Sequence, residues 1–260
     1  MTEKRAIIPV LLYHAVADHP RRSDRRYTVS RAGFNAHADA IRDSGRAALR
    51  ITELAAALRG ERPLPERTVA ITFDDGCDGT SDAVEALIDR DLPSTVYVTT
   101  GEIGAQGRLT SSELTALAKL PHVELGAHAV RHRRLDQLYD GELVEEVRVS
   151  RCRLEQLIQL TVRSFAYPHG AYDERVRSAV IDAGYASAAA VKNALSHGAD
   201  DPFAIARWTV TSGTPPSRIA EVLEGKAVPL AWRHERLRTR AYRTARRHRY
   251  RLAKSLRAAH

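Results

Sequence analysis

A hydrophobic run from Val69 to Phe73 ends in two adjacent carboxylates, Asp74 and Asp75, followed by Gly76. Successive residues of a strand point to opposite sides, so two acids at its end can do different work, one holding a metal ion and one acting as a base. Asp-Gly is also ordinary turn chemistry, and this tripeptide alone leaves both readings open. A second run, Val123 to Gly126, leads into His128 and His132. Histidines four apart on one face of a helical turn can chelate one divalent ion, with a carboxylate as third ligand and water in an open position. Arg131 and Arg133 make a solvated basic turn the alternative. Asp75, placed after another strand, favours the metal reading. Two His and one carboxylate suit Zn²⁺, and also Fe²⁺, Co²⁺ or Ni²⁺.

Such groups act together only if strands and loops converge. Ile7 to Tyr13, Thr68 to Phe73, Ser94 to Val98, Val123 to Gly126, Ser164 to Tyr167 and Ile205 to Val210 read as buried strands. Amphipathic stretches alternate with them: Ser30 to Ser44, Ser81 to Arg90, Ser111 to Leu120, Asp136 to Gln159, Asp173 to Ala183 and Pro216 to Glu224. Ser30, Ser111 and Asp173 stand where N-caps are expected. The alternation, without repeats or a long linker, predicts an α/β fold with a parallel sheet or barrel wrapped by helices. In such folds reactive groups collect where strands end.

At 260 residues, 43% hydrophobic and 28% charged, the chain fits one large domain or two small ones, and is not collagen, coiled coil or wholly disordered. No apolar run reaches the roughly 18 residues of a membrane span. The apolar start contains Pro9 and lacks a small-residue cleavage site, so it reads as a first strand and not as an export signal. Cys77 and Cys152 form neither a CxxC pair nor a disulfide framework, and a cytoplasmic location is expected. Basicity is confined to the end. Residues 232–260 hold 11 Lys/Arg and one acid, Glu235, a net +10, whereas the remainder holds 29 Lys/Arg and 31 Asp/Glu, a net −2.

The segments TFDDG (72–76), His128 with His132, and FAYPHG (165–170), in this order, resemble the polysaccharide deacetylase family, carbohydrate esterase family four, also called the NodB-homology domain. The likeness spans roughly residues 7 to 212. It implies a distorted (β/α) barrel of the polysaccharide deacetylase type and metal-dependent hydrolysis of an N-acyl, usually N-acetyl, group on an amino sugar. Carried over, Asp74 matches the catalytic base, and Asp75, His128 and His132 match the metal ligands. The resemblance places Tyr167, Pro168 and His169 beside the substrate, with a backbone N–H of this stretch facing the oxyanion. Family members usually supply the general acid from a C-terminal strand ending in His. Here Val10 to His14, VLLYH, has that character at the N-terminus and resembles the circularly permuted branch, which includes deacetylases of poly-N-acetylglucosamine. His14 is the expected general acid.

Three positions depart from the family pattern. Ala129 replaces the Ser or Thr that often follows the first metal histidine. Ala166 stands where the family often has an arginine that orients the catalytic Asp, and Arg207, late in the strand-like run FAIARW (203–208), is the candidate replacement. Cys77 follows the Asp-Asp-Gly turn and reads as a buried thiol. Trp208 joins the candidate sugar-stacking residues, with Tyr13, Tyr97 and Tyr172 as weaker ones.

The chain divides into a catalytic domain, 1–231, and a basic helical extension, 232–260, with Leu237, Ala241, Ala245, Arg249, Leu252 and Leu256 at near-helical spacing. Such a helix suits an anionic membrane surface or a lipid-linked substrate, less so nucleic acid, and a solvated tail is the alternative. The expected function is N-deacetylation of an amino-sugar glycoside, lipid-linked sugar or oligosaccharide. The alternatives are a deformylase or other C–N amide hydrolase on this scaffold, and a catalytically silent carbohydrate- or membrane-binding protein.

Overall fold

The computed structural model describes residues 6–20, 22, 24–231, 244–247, 249 and 250. Seven parallel strands follow one another around a barrel in chain order: β1 (Val10–Tyr13), β2 (Thr68–Phe73), β3 (Ser94–Val98), β4 (Val123–Ala127), β5 (Ser164–Ala166), β6 (Ser187–Val191) and β7 (Ile205–Thr209). β1 closes the ring by pairing on one side with β2, Leu11 against Ile71, and on the other with β7, Leu11 against Trp208. The seam between β4 and β5 rests on one pair, Ala127 with Phe165, thinner than its neighbours. This is the distorted (β/α) barrel that the family resemblance implies.

The helices are α1 (Arg31–Asp43), α2 (Ile51–Leu58), α3 (Thr80–Ile88), α4 (Ser111–Leu117), α5 (Asp140–Ile158), α6 (Glu174–Asp182) and α7 (Pro216–Leu223). Ser30 and Asp173 cap α1 and α6 as expected, their side chains accepting from Gly33 and Val176 N–H. Thr110, not Ser111, caps α4, because its hydroxyl reaches Glu113 N–H while Glu113 reaches back in a capping box. The expected first strand breaks at Pro9, which has no N–H for a ladder. Ile7–Ile8 pairs antiparallel with Ser196–His197 instead. α5 starts at Asp140 rather than Asp136, since Leu135–Gln137 forms a separate 3-10 turn. Of the barrel strands and the helices around them, α2 and β6 lie outside the sequence expectation. The latter reads SAAAV, and alanine carries little strand propensity, yet it sits between β5 and β7 with Ser187 to Ala190 buried.

Alternation along the strands separates two apolar layers. Leu11, Tyr13, Phe73, Val96, Leu125 and Phe165 face the helices, with Phe34 of α1 and Val147 of α5 packed among them. Val10, Ala70, Tyr97, Ala166, Ala189 and Ile205 belong to the inner cluster. α2 adds Ile51, Leu54 and Ala55 to it at the end where the strands begin, so that end is stoppered and the opposite mouth, where strands end, is left for a site.

No helix among the described residues is long and apolar enough to cross a membrane. The expected basic helix over 232–260 lies mostly outside the described residues. Its described part, 244–247 with 249 and 250, is helical and touches the body. Arg247 donates to the Asp136 carbonyl at 2.7 Å and pairs with Asp173, and Tyr250 Oη accepts from Arg133.

Candidate active site

The ends of β1, β2, β4, β6 and β7 surround a cavity of about 380 Å³ lined by His14, Tyr27, Asp74, Asp75, His128, His132 and His169, with Leu12, Val191 and Thr209. Parity decides what enters it. On β1, Val10 and Leu12 face inward, and His14 follows in phase. On β2, Ala70 and Thr72 face inward, and Asp74 follows.

Asp75, His128 and His132 each present a ligating atom within 4.8 Å of the other two, the one such cluster among the described residues. Asp75 Oδ1 lies 3.3 Å from His132 Nε2 and 3.6 Å from His128 Nε2. That oxygen is buried and has no hydrogen-bond partner. His128 Nδ1 lies 2.8 Å from the Ala166 carbonyl, which can only accept, so Nδ1 carries the proton and Nε2 offers its lone pair toward Asp75. The same bond crosses the thin β4–β5 seam. Burial foremost, and then the neighbouring His132, push the His128 pKa down to about 4 against the opposing pull of Asp74 and Asp75, so this imidazole is neutral at physiological pH. An orphaned carboxylate oxygen facing two imidazole nitrogens, one of known tautomer, fits a divalent cation.

Backbone conformation is unusual here. Asp75, Ala129, His132 and His169 have φ of 72°, 63°, 52° and 58°, four of the eight non-glycine residues with positive φ among those described. Each costs on the order of 1 kcal/mol, which the surrounding bonds must offset.

Asp74 is buried beside the cluster, and the side chain of Arg207 lies within the barrel under it. Nη1 and Nη2 of Arg207 donate to Oδ1 and Oδ2 of Asp74 at 2.6 and 2.8 Å. Nε reaches the Ala190 carbonyl, Nη1 also reaches Thr72 Oγ1, and the guanidinium carbon stands 5.4 Å from the centre of the Tyr97 ring. Burial pushes the Asp74 carboxyl up, but Arg207 and His128 outweigh it and bring the pKa down to about 2. The guanidinium beside Asp74 thus comes from β7, and the inward positions of β5 and β6 are the small Ala166 and Ala189.

The ring of His14 stacks on Tyr27, centroids 4.9 Å apart, and its Nδ1 is buried without a partner. His169 lies against His132, ring centroids 4.4 Å apart, and burial followed by the charge of His132 lowers its pKa. Three expected substrate residues do not reach the cavity. Tyr167 follows the inward Ala166 and therefore faces the helices, fully buried, its hydroxyl bonded to the Phe203 carbonyl and its ring stacked on Tyr172. Trp208 follows the inward Arg207 and turns outward beneath Arg218 of α7. Pro168 is buried in a 3-10 turn and is not among the lining residues. Of the backbone donors in this stretch, Tyr167 N–H is spent on the Ala189 carbonyl and Pro168 has none, leaving that of His169. Tyr27 is a lining residue that the sequence reading missed, and a lone aromatic at the end of a three-residue 3-10 turn gives no periodic signal. Cys77 is buried, its sulfur accepting from Arg108 Nη1 at 3.0 Å.

Residues 61–188 match the family model for polysaccharide deacetylase. The curated Bacillus subtilis (strain 168) protein named "Putative polysaccharide deacetylase YxkH" is 25% identical over 224 residues, covering 86% of this chain and 78% of that protein. Among solved structures, the Streptococcus pyogenes deacetylase PplD in complex with acetate superposes with a TM-score of 0.75 at 20% identity, over 84% of this chain and 99% of that one. A polysaccharide deacetylase from Bacillus cereus superposes with a TM-score of 0.74 at 23% identity, over 84% and 69%. With the TFDDG segment, the His128 and His132 pair and the barrel, these matches place residues 61–188 in the polysaccharide deacetylase family.

Proposed function

We propose that this protein is a metal-dependent hydrolase that removes the N-acetyl group from an N-acetylated amino sugar. The observation that carries this reading is the convergence of Asp75, His128 and His132 beside an ionised Asp74 at the open mouth of the barrel. Asp75, His128 and His132 would hold the cation, with Zn²⁺ expected ahead of Co²⁺, Ni²⁺ or Fe²⁺. Bound there, it would supply Lewis acidity, lowering the pKa of water from about 16 toward about 7 and polarising the acyl carbonyl.

The remaining work falls to this chain's own groups. Asp74 takes a proton from the attacking water as the new C–O bond forms. Arg207 keeps this carboxylate ionised and ready to accept that proton, which then leaves to bulk water. Arg207 fixes the direction of its oxygens. His14, at the end of the neighbouring strand β1, donates the proton that lets the amine nitrogen leave as the C–N bond breaks. The backbone N–H of His169 faces the oxyanion, and Tyr27 with His169 supplies ring faces for the sugar. The products are acetate and a free amino sugar. β1 sits between β7 and β2, which supports the permuted-branch reading of His14.

Residues 1–231 form the catalytic unit in this proposal. The net +10 of residues 232–260 supports contact with an anionic membrane surface or a lipid-linked substrate. Deleting those residues is expected to abolish salt-sensitive binding to anionic vesicles, and unchanged binding overturns that part.

The decisive experiment measures metal content and acetate release on a panel of N-acetylglucosaminyl compounds, for the intact protein, the apoprotein and Asp74→Asn. Acetate from the intact protein alone supports the proposal. Stoichiometric metal without acetate moves the reading to another acyl group or glycoside, and absence of metal uptake overturns it.

A further inference from the structure

The buried stripe of α5 is Leu143, Val147, Ser150, Leu154 and Ile158, and one acid lies on it. Glu146 is 0% exposed. A carboxylate in such a place is costly unless its oxygens are fully bonded. All its hydrogen bonds run to the segment between the two histidines of the candidate metal centre. Oε2 accepts from Val130 N–H at 2.9 Å and Arg131 N–H at 2.8 Å, and Oε1 accepts from Arg131 Nη1 at 3.1 Å. Two successive N–H groups converging on one oxygen make a backbone nest that favours an anion.

The same segment is held from its other side by its carbonyls. Thr100 N–H donates to Ala129 O at 3.1 Å, and Gly101 N–H to Val130 O at 2.8 Å. Any Cβ at Gly101 would stand 2.4 Å from that carbonyl oxygen, so only glycine permits the approach. Between these clamps the chain turns through the positive φ of Ala129 and reaches that of His132, conformations neither residue favours alone. Glu146 itself is not among the residues that line the cavity.

We propose that Glu146 is a positioning residue for the metal centre: its buried carboxylate binds the 130–131 backbone and so sets the angle at which His128 and His132 face Asp75. The inference rests on the metal reading given above. Orienting groups behind ligands commonly govern affinity by 10–100-fold. Glu146→Gln keeps the shape but replaces one acceptor oxygen by an NH₂ group, which must face either the N–H pair or the Arg131 guanidinium.

The test titrates apoprotein with Co²⁺ against a chromophoric chelator and records the visible absorption of the bound ion. Glu146→Gln is expected to bind about 10–100-fold more weakly, with a shifted spectrum. Glu145→Gln, altering an exposed neighbour that pairs only with the Arg131 side chain, is expected to match the intact protein. Val180→Ala, which opens a cavity in the outer core, controls for lost stability and is expected to leave affinity unchanged. If Glu146→Gln does not fold, Glu146→Asp, which keeps the charge but withdraws it, is expected to show an intermediate loss. Intact-like affinity and spectrum in the folded Glu146 variant overturn this proposal and leave the metal centre standing. Failure of the intact protein to take up Co²⁺ overturns both.

Discussion

Arg207 and Asp74, 133 residues apart in the chain, meet inside the barrel through two parallel bonds of 2.6 and 2.8 Å. A planar fork matched to a carboxylate fixes distance and direction together, which an ammonium group cannot do. Arg207→Lys is therefore expected to lower kcat on the order of 10²-fold, with KM and metal content close to those of the intact protein. Steady-state kinetics with metal analysis on the same sample checks it, and unaltered turnover would remove Arg207 from the machinery.

Removing the guanidinium altogether strands a buried charge. Arg207→Met is expected to cost about 3–5 kcal/mol in urea unfolding, and combining it with Asp74→Asn should recover part of that loss. If the double variant is no more stable than Arg207→Met, the pair is not what stabilises Asp74.

The pairing also predicts an acid limb of stability. The Asp74 pKa is depressed from an ordinary value of 3.8 to about 2 by Arg207 and His128 against the opposing effect of burial. A depressed carboxylate contributes its full stability above pH 4 and loses it as pH falls toward 2. Denaturant unfolding at pH 5 and pH 2.5 should show the intact protein losing about 2 kcal/mol more than Asp74→Asn. Parallel losses in both would place the acid sensitivity elsewhere.

His14→Gln keeps a hydrogen-bonding side chain but cannot donate a proton at its ordinary cost. We expect kcat to fall about 10²–10⁴-fold with metal binding intact. Tyr27→Leu, which removes the ring stacked on His14 and facing the cavity but leaves the proton donor, should give a smaller loss in kcat. Near-normal turnover in His14→Gln would assign the proton donation to another group.

Cys77 and Cys152 should behave differently toward thiol reagents. Burial, with the nearby Asp75, pushes the Cys77 pKa up to about 12 despite Arg108, and Cys152 is exposed. Because the thiolate is the reactive form, one thiol should titrate in the native protein and two in denaturant. Rapid native labelling of Cys77 would contradict its buried, protonated assignment.

Much of this arrangement is legible in the residues themselves, because strand ends mark themselves by abrupt polarity. Asp74, Asp75, His14 and His128 all follow apolar runs and all reach the mouth of the barrel. Tyr167 and Trp208 mislead because nearness in sequence to a site residue says nothing of facing: each is one step out of phase with an inward neighbour, Ala166 or Arg207. β6 escapes notice because three consecutive alanines carry no β-branched signature, although small side chains suit a crowded interior beside Arg207. Glu146 leaves a readable trace, an acid at the spacing of Leu143 and Val147 on an otherwise uncharged stripe. Its partner could not be read the same way, since the receiving groups are backbone N–H donors that no side chain announces.

Barrel closure by the first strand has a consequence for synthesis. As the chain leaves the ribosome, β1 emerges first, gains its β2 neighbour after some sixty residues, and waits for β7 until Trp208 and Thr209 appear opposite Leu11 and Leu12. The Asp75, His128 and His132 cluster has all its members by residue 132, yet Asp74 remains without its guanidinium until Arg207 is made. A nascent chain stopped between these points would carry every candidate metal ligand and still hold an open barrel with an unmatched acid at its centre. Competence therefore arrives in one late step of elongation, when a single strand both seals the ring and delivers the counter-charge.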